Sequence, residues 1–183
     1  MNVVDWNSVF CDSPLRIEKQ ENKYGIINRV NGNIIIPFEY DNLFYYWNNT
    51  FICIKNGKFG AFEIDDSERI KTISLCEYDL VTPPFSKSLI LYGTEKCTYY
   101  NIYNGATIEC GGFDCLNDKF IIGRNYTKNE SYLIVEATGK IIYTYNDSNA
   151  QFKIIDGLFS RKLLISSVLK GKSHIVKKKI LIK

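Results

Sequence analysis

The sequence predicts an all-β repeat protein, on three observations. Five times a large apolar residue is followed by Asp and then, two positions after the Asp, usually by another apolar residue: Val4-Asp5, Tyr40-Asp41, Tyr78-Asp79, Phe113-Asp114 and Ile155-Asp156. Their Asp residues stand 36, 38, 35 and 42 positions apart, the spacing of one repeated supersecondary unit. Lys23-Tyr24-Gly25-Ile26-Ile27 returns 35 residues later as Lys58-Phe59-Gly60-Ala61-Phe62. Asn, Ile, Lys and Tyr are abundant and Ala is scarce, a balance that favours strands over helices.

Each repeat divides into four short strands. In the second they fall at residues 51–55, 58–63, 70–74 and 78–82, each of strand length and bounded by turn residues. Asn56-Gly57 marks a two-residue type I′ hairpin, because both residues tolerate positive φ. Asp65-Asp66-Ser67-Glu68 is the next turn, and other repeats place Asn28 to Gly32, Asn104-Gly105 and Thr138-Gly139 there. Thr98-Tyr99-Tyr100-Asn101-Ile102, Ser131-Tyr132-Leu133-Ile134-Val135 and Gly171-Lys172-Ser173-His174-Ile175-Val176 are weaker copies of the Lys23 segment. The repeats run 15–49, 50–87, 88–117, 118–160 and 161–183 plus 1–14, within one domain over 1–183.

The segment Lys23-Tyr24-Gly25-Ile26-Ile27-Asn28, followed by Gly32-Asn33-Ile34-Ile35-Ile36-Pro37-Phe38-Glu39-Tyr40-Asp41, resembles the WG (KWG) repeat family, with Tyr in place of Trp. Lys58-Phe59-Gly60 through Glu77-Tyr78-Asp79 is a fair second match. The resemblance is specific over residues 16–85. It implies a β-rich repeat protein and no particular activity.

The recurring Asp residues, Asp5, Asp41, Asp79, Asp114 and Asp156, are read as structural. A carboxylate at a strand entrance accepts backbone N–H groups of the adjacent turn and fixes the corner between strands. Five converging carboxylates holding metal ions are the functional alternative, but residues repeated in a repeat protein normally solve a repeated packing problem. No metal and no cofactor is expected.

The two chain ends complement one another. The last repeat stops at Lys179-Ile180-Leu181-Ile182-Lys183, before an Asp-bearing strand, while Val3-Val4-Asp5-Trp6 carries that motif before any complete repeat. Joining them closes a ring and removes exposed strand edges. The expectation is a five-bladed, β-propeller-like ring whose N-terminal strand completes the last repeat. An open, β-solenoid-like stack of hairpins is the alternative.

Composition fits a globular domain, with 45% hydrophobic and 23% charged residues. No run of eighteen apolar residues and no basic-then-apolar leader occurs in it. The six cysteines form no Cys-x-x-Cys pair, so the expectation is reduced thiols in a cytoplasm. Cys53 and Cys76 read as small core hydrophobes. Cys110 and Cys115 have the wrong spacing for a zinc knuckle.

Motifs for phosphate, dinucleotide, serine-hydrolase and zinc-protease chemistry are absent. His174 is the only histidine, and a His-dependent mechanism would run through it without visible orienting partners. The expectation is a protein that is not an enzyme. Residues 161–183 carry eight Lys and Arg and no acid against a whole-chain net of +3, leaving residues 1–160 at −5. That basic stretch reads as lysine protection of edge strands, with nucleic-acid binding as the alternative.

In a meander, alternate loops emerge on the same side. One face would then gather Tyr45, Tyr46, Trp47 and Phe85 with Asp65, Asp66 and Glu68, a mixture suited to a protein partner because Tyr and Trp dominate interface hot spots. The resulting expectation is a non-enzymatic binding module. Its most concrete form is a cytoplasmic immunity protein of a bacterial toxin system, inhibiting one cognate toxin, for which a basic nuclease suits the acidic balance of residues 1–160. Nucleic-acid binding through the C-terminal lysines, and catalysis through His174, are the rival readings.

Overall fold

The computed structural model describes residues 14–47, 49–82, 88–157, 160–169 and 172–180. Asp5, Phe85 and the N-terminal strand lie outside them, as do the side chains of Asp156 and His174. The described residues are all-β. Their strands are β1 Leu15–Gln20, β2 Lys23–Asn28, β3 Ile34–Tyr40, β4 Asn42–Trp47, β5 Thr50–Lys55, β6 Lys58–Ile64, β7 Ile70–Tyr78, β8 Leu80–Thr82 and β9 Ser88–Tyr92. Then come β10 Cys97–Asn101, β11 Thr107–Cys110, β12 Gly112–Asn117, β13 Phe120–Asn125, β14 Glu130–Val135, β15 Lys140–Tyr145, β16 Gln151–Gly157, β17 Ser160–Leu169 and β18 Lys172–Ile180.

They make five small antiparallel sheets, β1–β3, β4–β7, β8–β11, β12–β15 and β16–β18, each in chain order. The chain divides into two compact units, Met1–Thr94 and Glu95–Lys183.

Hairpin chemistry sets the register. Asn56 and Gly57 have φ of 53° and 72°, the left-handed pair a type I′ turn requires, and they join Lys55 to its partner Lys58. The glycine of the Lys-aromatic-Gly motif has a different cause. A Cβ on Gly25 would meet the Ile36 carbonyl oxygen at 2.6 Å, and one on Gly60 would meet Leu75 C at 2.8 Å and Cys76 N at 2.9 Å. In both sheets the last strand bulges against the bare backbone of its neighbour.

The cores follow from the same alternation. In the first unit Leu15, Ile26, Ile36, Leu43, Phe51, Phe62 and Ile64 pack together, with the Phe51 and Phe62 rings stacked at 5.5 Å. Each such buried side chain contributes about 1.5–3 kcal/mol. In the second unit Phe120, Ile122, Leu133, Leu163 and Ile165 do the same.

Two sequence expectations are corrected here. The sequence reading ends each repeat on its Asp-bearing strand, with residues 78–82 as the fourth strand of the second repeat. Instead Tyr78 ends β7, the chain bends at Asp79, and β8 opens the next sheet. The strands are where the turn residues place them, but a bend at the corner hands the following strand to a new set of neighbours.

The later copies are also shifted. Tyr24 faces Tyr40, Phe59 faces Tyr78 and Cys97 faces Cys110, so Cys97, not Tyr99, corresponds to Tyr24. The corner bond runs from Asp41 N to Ile54 O and from Asp79 N to Tyr92 O, each at 2.8 Å, and its next instance is Gly111 N to Arg124 O at 2.8 Å. Gly111 therefore holds the corner, and Asp114 stands three positions beyond it, inside β12. Apolar-Asp pairs arise readily in alternating strands, and hydrogen-bond register alone separates the corner from its imitation.

Candidate functional site

The site is built from three turns at one end of the first unit. Between β2 and β3, Asn28 Oδ1 accepts the N–H of Val30 at 2.8 Å and of Asn31 at 3.4 Å. This side chain substitutes for missing backbone partners in the turn. Between β6 and β7, Asp65 Oδ1 accepts the N–H of Ser67 at 2.9 Å and of Arg69 at 3.0 Å, while Oδ2 pairs with Arg69 Nε at 2.7 Å. The Arg69 N–H, then its guanidinium and the Ser67 N–H, hold the Asp65 carboxyl below its usual pKa.

Two bonds bring these turns together. Asn28 Nδ2 donates to Glu68 Oε1 at 2.5 Å, and the N–H of Ile64 donates to Asn49 O, in the β4–β5 hairpin, at 3.0 Å. Trp47, Asp65, Asp66 and Glu68 are thereby gathered at one end. Trp47 is 51% exposed, Val30 on the β2–β3 turn is 80% exposed, and Ile70 at the start of β7 is 48% exposed. Asp66 is exposed and has no ion pair among the described residues.

The other aromatics have different places. Tyr45 is half-buried and meets Phe51 edge-on at 5.6 Å. Tyr46 is half-buried and its hydroxyl donates to Ser88 O at 3.2 Å. Both tie the hairpin down and leave Trp47 outward.

Sequence reasoning missed Asn28, Val30 and Ile70. The signal for the first two was Asn-x-x-Asn-Gly at Asn28 to Gly32, repeated at Asn101 to Gly105. In the second unit Asn101 Oδ1 accepts the N–H of Tyr103 at 3.0 Å and of Asn104 at 3.1 Å. Its Nδ2 donates to Glu136 O at 3.2 Å, and Tyr99 Oη donates to the same oxygen at 2.6 Å. One device thus serves both units, an Asn that closes its own turn and grips the turn of the next sheet.

The opposite end holds the repeated charges. Lys23 Nζ lies 2.5 Å from Asp41 Oδ1, and Lys58 pairs with Asp79. Lys23 first, then the N–H groups of Asn56 and Gly57, lower the Asp41 pKa. Lys58 first, then Thr94, lower that of Asp79. Asp114 pairs instead with Arg124 Nε at 2.6 Å, and Arg124 Nη1 reaches Ser148 O at 2.7 Å and Ala150 O at 3.0 Å. These carboxylates fix strands and turns.

Among the described residues no three His, Cys, Asp or Glu side chains converge as metal ligands. Burial drives the Cys53 thiol pKa upward and pushes that of Cys110 to about 12. Burial also raises Cys115. Such thiols stay protonated at neutral pH, so none is activated as a catalytic nucleophile. No helix among the described residues is long and apolar enough to cross a membrane.

No protein-family model and no curated protein matches the chain. Among solved structures it is similar to the N-terminal domain of Nup159, at 7% identity and TM-score 0.35, over 94% of this chain and 59% of that one. It is also similar to Kluyveromyces lactis Hsv2, at 11% identity and TM-score 0.37, over 88% and 57%. A third is a eukaryotic initiation factor, at 11% identity and TM-score 0.40, over 90% and 49%. The chain spans between 49% and 59% of the length of these three.

Proposed function

We propose that the chain is a non-enzymatic protein-binding module of the WG-repeat kind, working through the turn end of its first unit. The observation that carries this reading is an exposed Trp47 at the same end of the first unit as the exposed Val30 and Ile70, where the turns are pinned by Asn28 and Asp65. A rigid aromatic anchor loses little entropy on binding, and the apolar surface around it excludes water from the contact. Asp66 and Glu68 beside it favour a basic partner. In its most concrete form the module is a cytoplasmic immunity protein that covers a cognate toxin.

The same reading takes the five sheets as blades of a closed ring, with the N-terminal segment completing the last. In support, among the described residues the three internal sheets have four strands and the first and last have three. Removing residues 1–12 then lowers the melting temperature of the whole chain, whereas an unchanged melt leaves the open stack.

The deciding experiment is capture from the native cell with the tagged chain, in parallel with Trp47→Ala and Asp66→Lys. A protein held by the wild type and released by both variants supports the module. Capture indifferent to both variants defeats this surface. Salt-sensitive retention on heparin with no protein captured points to nucleic acid instead.

A further inference from the structure

We propose that Cys53 and Cys76 form a reversible dithiol–disulfide pair, a site of oxidative modification in the second sheet. Their Sγ atoms lie 3.4 Å apart, although Cys53 is on β5 and Cys76 on β7, with β6 between them. Gly60 makes the meeting possible. It is the register partner of Cys53, and the bulge of β7 occupies the space where a Gly60 side chain would stand. Cys76 leans across that bare backbone, its Sγ also 3.9 Å from the carbonyl oxygen of Cys53. With no third ligand-type side chain converging there among the described residues, the arrangement is two sulfurs facing each other.

Access gives the order of events. Cys53 is 3% exposed and Cys76 is half-buried, so an oxidant meets Cys76 first. Hydrogen peroxide is the oxidant proposed. The Cys76 sulfur takes one peroxide oxygen as the O–O bond breaks, giving a sulfenic acid and one water. The Cys53 sulfur then attacks the sulfenic sulfur, the S–S bond forms, the S–O bond breaks, and the hydroxyl leaves with the Cys53 proton as a second water. Two thiols lose two electrons and one peroxide gains them. Closing the sulfurs to about 2.05 Å requires β7, an edge strand of its sheet, to move toward β5. Cys97 and Cys110 face each other across β10 and β11, but both are buried, so they serve as an internal comparison.

The test treats the folded full-length chain with a small excess of hydrogen peroxide, alkylates the remaining thiols and digests with trypsin without reduction. The expected product joins residues 30–55, which hold Cys53, to residues 72–87, which hold Cys76. Its mass is the sum of the two peptides less two hydrogens. Dithiothreitol separates it, and Cys76→Ser abolishes it. Gly60→Ala, which forces β7 away, reduces it while leaving oxidation of Cys76 to the sulfenic acid intact. Recovery of the two peptides singly alkylated, as sulfinic or sulfonic acids, or linked to other cysteines, overturns the proposal.

Discussion

Asn28 and Glu68, forty residues apart, are joined by a hydrogen bond of 2.5 Å from amide Nδ2 to carboxylate Oε1. The bond ties the turn of one sheet to the turn of the next. Because Asn28 Oδ1 also accepts the N–H of Val30, one side chain sets the shape of its own turn and its distance from another.

Replacing Asn28 with Ala removes both functions from a residue that is 8% exposed. The loss should be about 1–2 kcal/mol, the range for a lost cap and a lost hydrogen bond to a charged group. Urea unfolding checks it. Asn101→Ala should behave alike, since Asn101 makes the corresponding bonds in the second unit.

Gly60→Ala should be worse than a substitution at Gly32. At Gly60 a Cβ meets backbone atoms at 2.8–2.9 Å, which move only with the whole of β7, so a cost of about 1–3 kcal/mol is expected. At Gly32 nothing lies within 4 Å and only a φ of 75° opposes the change, an effect of about 1 kcal/mol. Reversal of this order in thermal or urea melts would contradict the bulge contact.

Trp47→Ala should leave stability within about 0.5 kcal/mol of wild type, as for a side chain that is 51% exposed. Loss of a hot-spot anchor would instead cost binding about 2 kcal/mol, near 30-fold in affinity. Circular dichroism and titration calorimetry on the same sample separate the two effects. Asp66→Lys should mainly slow association and weaken its salt dependence.

Acid should destabilise the fold below about pH 4. Asp41, Asp65 and Asp79 all have folded pKa values below the usual carboxylate value, so the unfolded chain binds protons more readily than the folded one. Their contribution is fully present above the unfolded pKa of about 3.9 and is lost as pH falls through the lower folded values. In Asp41→Asn, chemical unfolding at a series of pH values should show a shallower acid loss together with lower stability at neutral pH.

The strands were legible because turn residues announce themselves. Asn56-Gly57 fixed one hairpin, and the Lys-aromatic-Gly motif marked strands β2 and β6 together with their glycines. The corner was not legible in the third sheet, because Cys97, Cys110 and Gly111 fill positions held elsewhere by Tyr24, Tyr40 and Asp41, and only hydrogen-bond register reveals the match. At the candidate site, Trp47, Asp65, Asp66 and Glu68 could be named from chain order in a meander. Tyr45 could not be told from Trp47, since which of two aromatics in one strand turns inward depends on the partner it meets, here Phe51. Val30 and Ile70 went unseen because an apolar residue in a turn or at the start of a strand looks like core until its surroundings are known.

The two ends of the strands answer differently to change in length. At the corner, Asp41 is held by Lys23 and by the Asn56-Gly57 hairpin, so one extra residue would break three contacts at once. At the other end, the connection from Ile27 to its partner Ile34 is shorter than that from Phe62 to its partner Thr72, and each turn is closed by its own Asn or Asp. The molecule therefore separates a tightly held joint from a rim whose turns differ in length from one sheet to the next.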